Sequence, residues 1–196
     1  MSIAPTLPKI YTPEEYLALE IEAEDRHEYR SGEIIPMSGG TPAHNEIVSN
    51  LMFAIKSALK LALKSQTYSI FVADQRLWIP ESNTYAYPDV VVVPRPIELQ
   101  PGRKDTIANP LFLAEVLSNS TKAYDRDEKF AAYRTIPTFQ EYLLIDQTQP
   151  HVEQYLKQGT NQWLFQEYNG QEASIMLDSL SVELSLADLY ENIDFG

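Results

Sequence analysis

Two acids stand where acids are costly. Asp89 lies in Tyr-Pro-Asp-Val-Val-Val-Val (87–93) and Glu115 in Leu-Phe-Leu-Ala-Glu-Val-Leu (111–117), both apolar runs of strand length and strand composition. An ionised carboxylate inside such a run is unfavourable unless a cation, hydrogen bonds or a proton compensates it. Two of them, about one supersecondary unit apart, point to acids that meet and share a cation. Alternate residues of a strand share a face, so Asp89 goes with Tyr87 and Val91, and Glu115 with Leu113 and Leu117. On neighbouring strands both acids converge on one divalent ion. An all-oxygen donor set suits Mg²⁺ or Mn²⁺ and not zinc.

A phosphodiester-cleaving centre also needs an activated water and a positive charge for the transition state. Lys129 is the candidate for that charge. Glu115 lies two residues from the end of its strand, about 7 Å at strand rise. Lys129 lies eight residues into the helix that follows, about 12 Å at helical rise. That helix must double back over the sheet with its side chains leaning toward its own N-terminus, so a lysine side chain spans the difference. Each residue also has a structural reading: Asp89 as a turn residue after proline, Lys129 as a solvated lysine paired with Asp125 one turn earlier. Glu115 has the weakest such reading, because a glutamate in the middle of a buried strand is hard to explain. His44, at the head of an apolar helical stripe, is either a packed, hydrogen-bonded histidine or a group facing the site from the helix end.

The 196 residues carry 44% hydrophobic and 22% charged side chains, the balance of one ordinary soluble globular domain. No cysteine is present, which excludes disulfides, thiolate zinc sites and a cysteine nucleophile and fits a reducing cytoplasm. Met1–Pro8 has no long apolar stretch of a signal peptide, and no run approaches a membrane span. The net charge of −13 opposes nucleic-acid binding at long range, because phosphate contacts rest on Lys and Arg. A DNA-binding face must therefore gather its few cations. Arg95, Arg103 and Lys104, between the two acid-bearing strands, and Lys122 and Arg126, after Glu115, are expected near the mouth of the site.

The elements that position these groups follow from local signals. Thr12-Pro13-Glu14-Glu15 opens a helix running to about Ile21. A charged stretch, Glu22–Tyr29, leads through Ser31-Gly32 into a strand at Glu33–Met37. Thr41-Pro42 starts a longer helix with the stripe His44, Val48, Leu51, Ile55, Leu59 and Ala62, and with lysines 56, 60 and 64 on a wet face. Strands are expected at Tyr68–Val72, Gln75–Ile79 and Tyr87–Val93, with 80–83 as a hairpin turn and 97–110 as a polar loop. A strand at Leu111–Leu117, a capping run at 118–121, a helix at Lys122–Arg134 and a strand at Glu141–Ile145 form a crossover of parallel type. His151–Lys157 and Gln162–Tyr168 read as a hairpin, and Leu186–Tyr190 as a closing helix. The outcome is one domain over 1–196: an α/β (α+β) mixed sheet flanked by helices, its core at about 12–146 and a β extension with closing helix at about 147–196.

The residues that carry a family resemblance are Glu-Tyr-Arg-Ser-Gly-Glu-Ile-Ile (28–35), Thr-Pro-Ala-His-Asn (41–45), Tyr-Pro-Asp-Val-Val-Val-Val (87–93), Glu-Val-Leu-Ser-Asn-Ser-Thr (115–121), Asp-Glu-Lys-Phe-Ala-Ala-Tyr (127–133) and Glu-Tyr-Leu-Leu-Ile-Asp (141–146). The chain resembles the Uma2 family, formerly a domain of unknown function, in the PD-(D/E)XK superfamily of restriction-endonuclease-like nucleases. The resemblance implies Pro88-Asp89 as the first acid and Glu115 as the second. It also implies a lysine two residues after the second acid, where Leu117 stands; families of this type can relocate it to the next helix, which Lys129 satisfies. Glu33 is implied as an assisting acid from the first helix–strand region. The leading expectation is a Mg²⁺- or Mn²⁺-dependent endonuclease acting on DNA, with Asp89, Glu115, Lys129, Glu33 and His44 at its site. The alternative is a non-catalytic interaction protein that retains the nuclease fold, supported by the acidity and by Leu117. The aromatic hairpin Tyr155, Trp163, Phe165 and Tyr168 adds the expectation of a homodimer.

Overall fold

The computed structural model describes residues 9–119 and 121–195. Met1–Pro8, Ser120 of the capping run and Gly196 lie outside the described residues. Helix α1 (Pro13–Glu22) begins as its sequence dictates: Thr12 accepts from Glu15 N (3.2 Å) and Glu15 reaches back to Thr12 N (2.8 Å). Helix α2 (Pro42–Leu61) is capped by Thr41, whose hydroxyl accepts from His44 N. Its buried stripe is Ile47, Leu51, Ile55 and Leu59. Lys64, placed in water by the lysine spacing, instead donates to the carbonyl of Leu180.

The strands form two main sheets. The first, in the order β2-β1-β5-β4-β7, comprises β1 (His27–Arg30), β2 (Glu33–Pro36), β4 (Arg76–Ile79), β5 (Thr84–Ala86) and β7 (Thr106–Ile107). The second runs β11-β10-β9-β8-β6-β3, with β3 (Tyr68–Val72), β6 (Val90–Pro94), β8 (Phe112–Leu117), β9 (Glu141–Asp146), β10 (His151–Gly159) and β11 (Gln162–Asn169). Strands β8 and β9 are parallel, as a crossover through an intervening helix requires. A hairpin of β12 (Ser174–Leu177) and β13 (Val182–Ser185) leads into a short helix, α5 (Leu186–Leu189).

The second sheet is buried on both faces, which is why its central strands are apolar without interruption. Val90, Val92, Phe112, Ala114, Val116, Leu143 and Ile145 pack with the α2 stripe and with β12, β13 and α5. The other face carries Val91, Val93, Leu113, Leu117, Tyr142 and Leu144 against Phe130 and Tyr133 and against Leu77, Ile79 and Ile107 of the first sheet. Glu115, between Leu113 and Leu117 in the pleat, belongs to this second face.

Several expectations are corrected. Tyr87–Val93 is not one strand: Thr84–Ala86 pairs in the first sheet, Val90–Pro94 in the second, and Tyr87-Pro88-Asp89 is the crossing between them. Glu22–Tyr29 is not all linker, because His27–Arg30 forms a strand paired on both sides. The polar loop 97–110 contains β7, and the chain after the aromatic hairpin contains β12 and β13. The helix at 122–133 is regular only at its ends, α3 (Lys122–Tyr124) and α4 (Phe130–Tyr133), with a π-helical turn at Asp125–Lys129 between them. No helix among the described residues is long and apolar enough to cross a membrane.

The register of α2 yields a paired test. Leu51 is fully buried and Phe53, two residues on, is exposed. Leu51→Ala should cost about 2–5 kcal/mol in urea unfolding, whereas Phe53→Ala should stay within about 0.5 kcal/mol. Equal costs would mean that α2 presents a different face to the sheet.

Candidate active site

A cavity of 290 Å³ opens where β1, the 87–89 crossing, the end of β8, the head of α2 and the helix 122–133 meet. Four carboxylates line it: Glu28, Asp89, Glu115 and Asp125. The β6–β8 register pairs Val90 with Ala114, so one residue further along Asp89 stands opposite Glu115. The contact between them is direct, Asp89 N lying 3.4 Å from Glu115 Oε2. Asp89 Oδ2 accepts from Val116 N (2.8 Å) and lies 3.1 Å from His44 Nε2.

Lys129 is 7% exposed and sits at the centre of the acids. Its Nζ is 3.0 Å from Glu115 Oε1, 3.3 Å from Glu28 Oε1 and 3.6 Å from Asp125 Oδ1. At an effective dielectric of about 20, a pair near 3 Å attracts by roughly 5 kcal/mol, so the ammonium is the main electrostatic anchor of this end of the fold. Tyr133 donates to Glu115 Oε1 (2.8 Å) and Tyr124 to Glu28 Oε2 (3.3 Å).

Burial dominates the titration of the group. It raises the Glu115 pKa well above the usual carboxylate range, against the pull of Lys129 and with the help of Asp89, Asp125 and Glu28. It raises Asp125 for the same reason. Burial alone would lower Lys129, but Glu115, Glu28 and Asp125 together hold the ammonium well above its ordinary pKa. His44 is raised by its bond to Asp89, against burial.

Of the sequence-derived candidates, Asp89, Glu115, Lys129 and His44 are brought together and Glu33 is not. Glu33 opens β2 on the exposed side of the β1–β2 turn, and Glu28 takes the place expected of it. The alternation of β1 explains why: Glu28 and Arg30 both line the cavity, while Tyr29 joins the aromatic cluster of Tyr16 and Tyr85 on the opposite side. Gly40 is required for the approach of α2. A Cβ there would lie 2.7 Å from His44 Nδ1 and 2.9 Å from Asn45 Oδ1. Tyr124, Tyr133 and Arg30 are not singled out by type and spacing, and Asp125 enters the sequence reading only as the helix partner of Lys129. None of Arg95, Arg103, Lys104, Lys122 and Arg126 lines the cavity. Arg103 is held by Asp105 (2.6 Å) and Arg126 by Glu153 (2.6 Å).

Among the described residues, no three His, Cys, Asp or Glu side chains form a ready-made metal cage. The donor chemistry nevertheless fits a hard cation that keeps much of its water. Asp89 and Glu115 offer adjacent carboxylates, and Mg²⁺ is commonly held by one or two of these, with water and substrate phosphate supplying the rest.

The Glu115 shift has a signed consequence. A carboxyl whose folded pKa lies above its unfolded value, about 4.3, contributes stability that is present at low pH and lost as pH rises through the folded pKa. In chelator, the wild type should therefore lose stability relative to Glu115→Gln on going from about pH 4 to about pH 8. A difference independent of pH would place the Glu115 pKa at its ordinary value.

Residues 13–188 match the Uma2 family, described as "Putative restriction endonuclease". A Synechocystis protein, "Uncharacterized protein sll1609", is 42% identical over 174 residues, covering 89% of this chain and 96% of its own. A second from the same organism, "Uncharacterized protein slr1290", is 36% identical over 182 residues, covering 92% and 90%. The crystal structure of a protein titled a putative nuclease belonging to DUF820, from Anabaena variabilis, superposes with a TM-score of 0.73 at 21% identity, covering 92% of this chain and 97% of that one. That likeness establishes the fold, a mixed α+β architecture of restriction-endonuclease-like type. With nearly the whole chain matched, the protein belongs to the Uma2 family.

Proposed function

We propose that the protein is a Mg²⁺- or Mn²⁺-dependent endonuclease that hydrolyses phosphodiester bonds in DNA. The observation that carries this reading is the cavity in which Asp89 and Glu115 meet across β6 and β8 while Lys129 bonds to Glu115. Four carboxylates against one buried ammonium leave an excess of negative charge that a divalent cation relieves.

The cation, held by Asp89 and Glu115, would supply Lewis-acid charge to the phosphoryl oxygens and acidify a bound water. The chain's own groups do the positioning. Val116 N and His44 fix one oxygen of Asp89, and Tyr133 and Lys129 fix one oxygen of Glu115, so both acids present a set orientation. Lys129 remains protonated, so it serves as a hydrogen-bond donor and charge for the attacking water and the phosphoryl oxygens, not as a base. A water oxygen bonds to phosphorus, one phosphorus–oxygen ester bond breaks, and the departing oxygen takes a proton. Glu28 and Asp125 hold the ammonium in place.

The lysine missing at Leu117 favours a non-catalytic protein only if nothing replaces it. Leu117 is buried in the apolar layer of the sheet, and the lysine charge reaches Glu115 from the helix instead. The reading extends to a homodimer through the C-terminal hairpin. Trp163 and Tyr155 are turned inward against Phe130, at 5.2 and 4.6 Å between ring centres. That leaves Leu164 and Phe165 half exposed on β11, a sheet edge open to a second copy.

Two measurements test the proposal. Millimolar Mn²⁺ should raise the melting temperature of the wild type, and the loaded protein should nick supercoiled plasmid DNA. Asp89→Asn should lose both responses; an equal Mn²⁺ shift in the variant would reject the shared cation. Lys129→Ala should lose nicking by orders of magnitude when assayed below its own melting temperature, because removing a buried pair's cation also costs about 3–5 kcal/mol. Metal binding without nicking by the wild type would select the non-catalytic alternative. Light scattering decides the assembly: a clean monomer at micromolar concentration removes the dimer.

A further inference from the structure

Arg30 belongs to two cavities at once. It lines the carboxylate cavity and also an adjoining one of 390 Å³, and Tyr124 is shared in the same way. The guanidinium lies over the Tyr124 ring, 4.0 Å from its centre, so the wall between the cavities is a stacked Arg–Tyr pair. Among the described residues, few buried side-chain polar atoms lack a hydrogen-bond partner, and two of them, Arg30 Nε and Ser82 Oγ, belong to residues that line this second cavity. A buried donor left without a partner costs about 1–3 kcal/mol, so both residues would gain from a polar group that reached them.

Among the described residues, Arg30 forms its ion pair with Glu128, at 2.7 Å. The Glu128 side chain is 66% exposed. Exposed pairs of this kind are worth little, about 0–1 kcal/mol, and are easily given up to a better ligand. The other cations of the region are held more firmly: Lys129 by three acids and Arg126 by the half-buried pairing with Glu153.

We propose that Arg30 is the contact for the DNA phosphate next to the scissile one, and that Glu128 occupies that place until the phosphate displaces it. This rests on the endonuclease reading above. The chemistry is that of the existing pair, since a guanidinium presents the same planar fork to a phosphate as to a carboxylate. A strand whose scissile phosphate sits at Asp89 and Glu115 crosses the Arg–Tyr wall into the second cavity. The hydroxyls of Ser31 and Thr84 donate there to the Ser82 carbonyl and that of Thr135 to the Ala132 carbonyl, so Arg30 is the group at the wall left to meet the backbone. Glu81, like Glu128, is exposed, so its repulsion of the strand is screened by solvent and salt.

The test is binding of a short fluorescein-labelled DNA duplex in Ca²⁺ across a salt series, read by anisotropy. Substituting the two partners should act in opposite directions. Arg30→Gln should weaken binding about ten- to a hundred-fold and reduce the salt slope by about one ion. Glu128→Gln should tighten binding several-fold, because it frees the guanidinium and removes a negative charge. Arg30→Lys should keep the salt slope while losing part of the affinity, and it serves if Arg30→Gln does not fold. If the ion pair is purely structural, both partners weaken binding together with a lowered melting temperature, and the proposal is overturned. A wild type that nicks plasmid and binds the duplex, with Arg30→Gln and Glu128→Gln unchanged, overturns this proposal and leaves the endonuclease reading standing. A wild type that neither binds nor nicks overturns both.

Discussion

The structure turns on one ammonium ion. Lys129 is buried, and its desolvation costs several kcal/mol that only neighbouring negative charge can offset. Three elements deliver that charge: β1 brings Glu28, β8 brings Glu115, and the lysine's own helix brings Asp125 one turn earlier. The lysine thereby ties the two sheets and the crossover helix together at one point. The reverse dependence is as strong, because removal of the lysine would leave three buried acids in mutual repulsion. Asp125–Lys129 is a π-helical turn, a feature frequent where a helix serves a site.

The second constraint is the passage of one chain segment between two sheets. Ala86 ends a strand of the first sheet and Val90 begins a strand of the second, with Tyr87-Pro88-Asp89 between them. Proline has no N–H to contribute to a ladder, so it suits the place where pairing stops and restarts. Asp89, the last residue before the new strand, keeps the register that sets it opposite Glu115 and leaves its carboxylate free to accept from the Val116 N–H. A central strand position would have spent Asp89 on the layer beneath the helix. The crossing is what allows an acid to stand at the edge of a dry interior and remain partly wet.

These two constraints explain what could be read from the sequence. Asp89 and Glu115 were legible because an acid in an apolar run violates the composition of its own segment. Lys129 was legible through reach alone, as a lysine on the one helix that returns over Glu115; its burial was not, because all four residues before it along the helix are charged. Glu28 and Arg30 were hidden by the opposite effect. The run Glu-Asp-Arg-His-Glu-Tyr-Arg (24–30) is so polar that it reads as linker, and its strand character comes from pairing with β2 and β5, which no local window contains. The strand expected from Glu33 is β2, and with β1 unread before it the assisting acid fell on Glu33 instead of Glu28. The inward turn of Trp163 was hidden for a related reason: it meets Phe130 and Phe139 from the preceding helix and loop, partners distant in sequence.

The acidity that opposes DNA binding is also resolved by location. Net charge governs the approach of a ligand over distances beyond a Debye length, about 8 Å at physiological salt, but not its contacts within a cleft. The carboxylates that contribute most to repulsion at the cavity are the ones that create its demand for a divalent cation. On the proposed reading, a divalent cation would add two positive charges where four acids converge and reduce the repulsion at its source. Arg30, which lines the cavity, would then be the guanidinium that a DNA strand meets. On the proposed reading, acidity of the free protein and affinity of a metal-loaded protein for phosphate are therefore compatible: the same acids that would repel DNA from the empty site would recruit the ion that admits it.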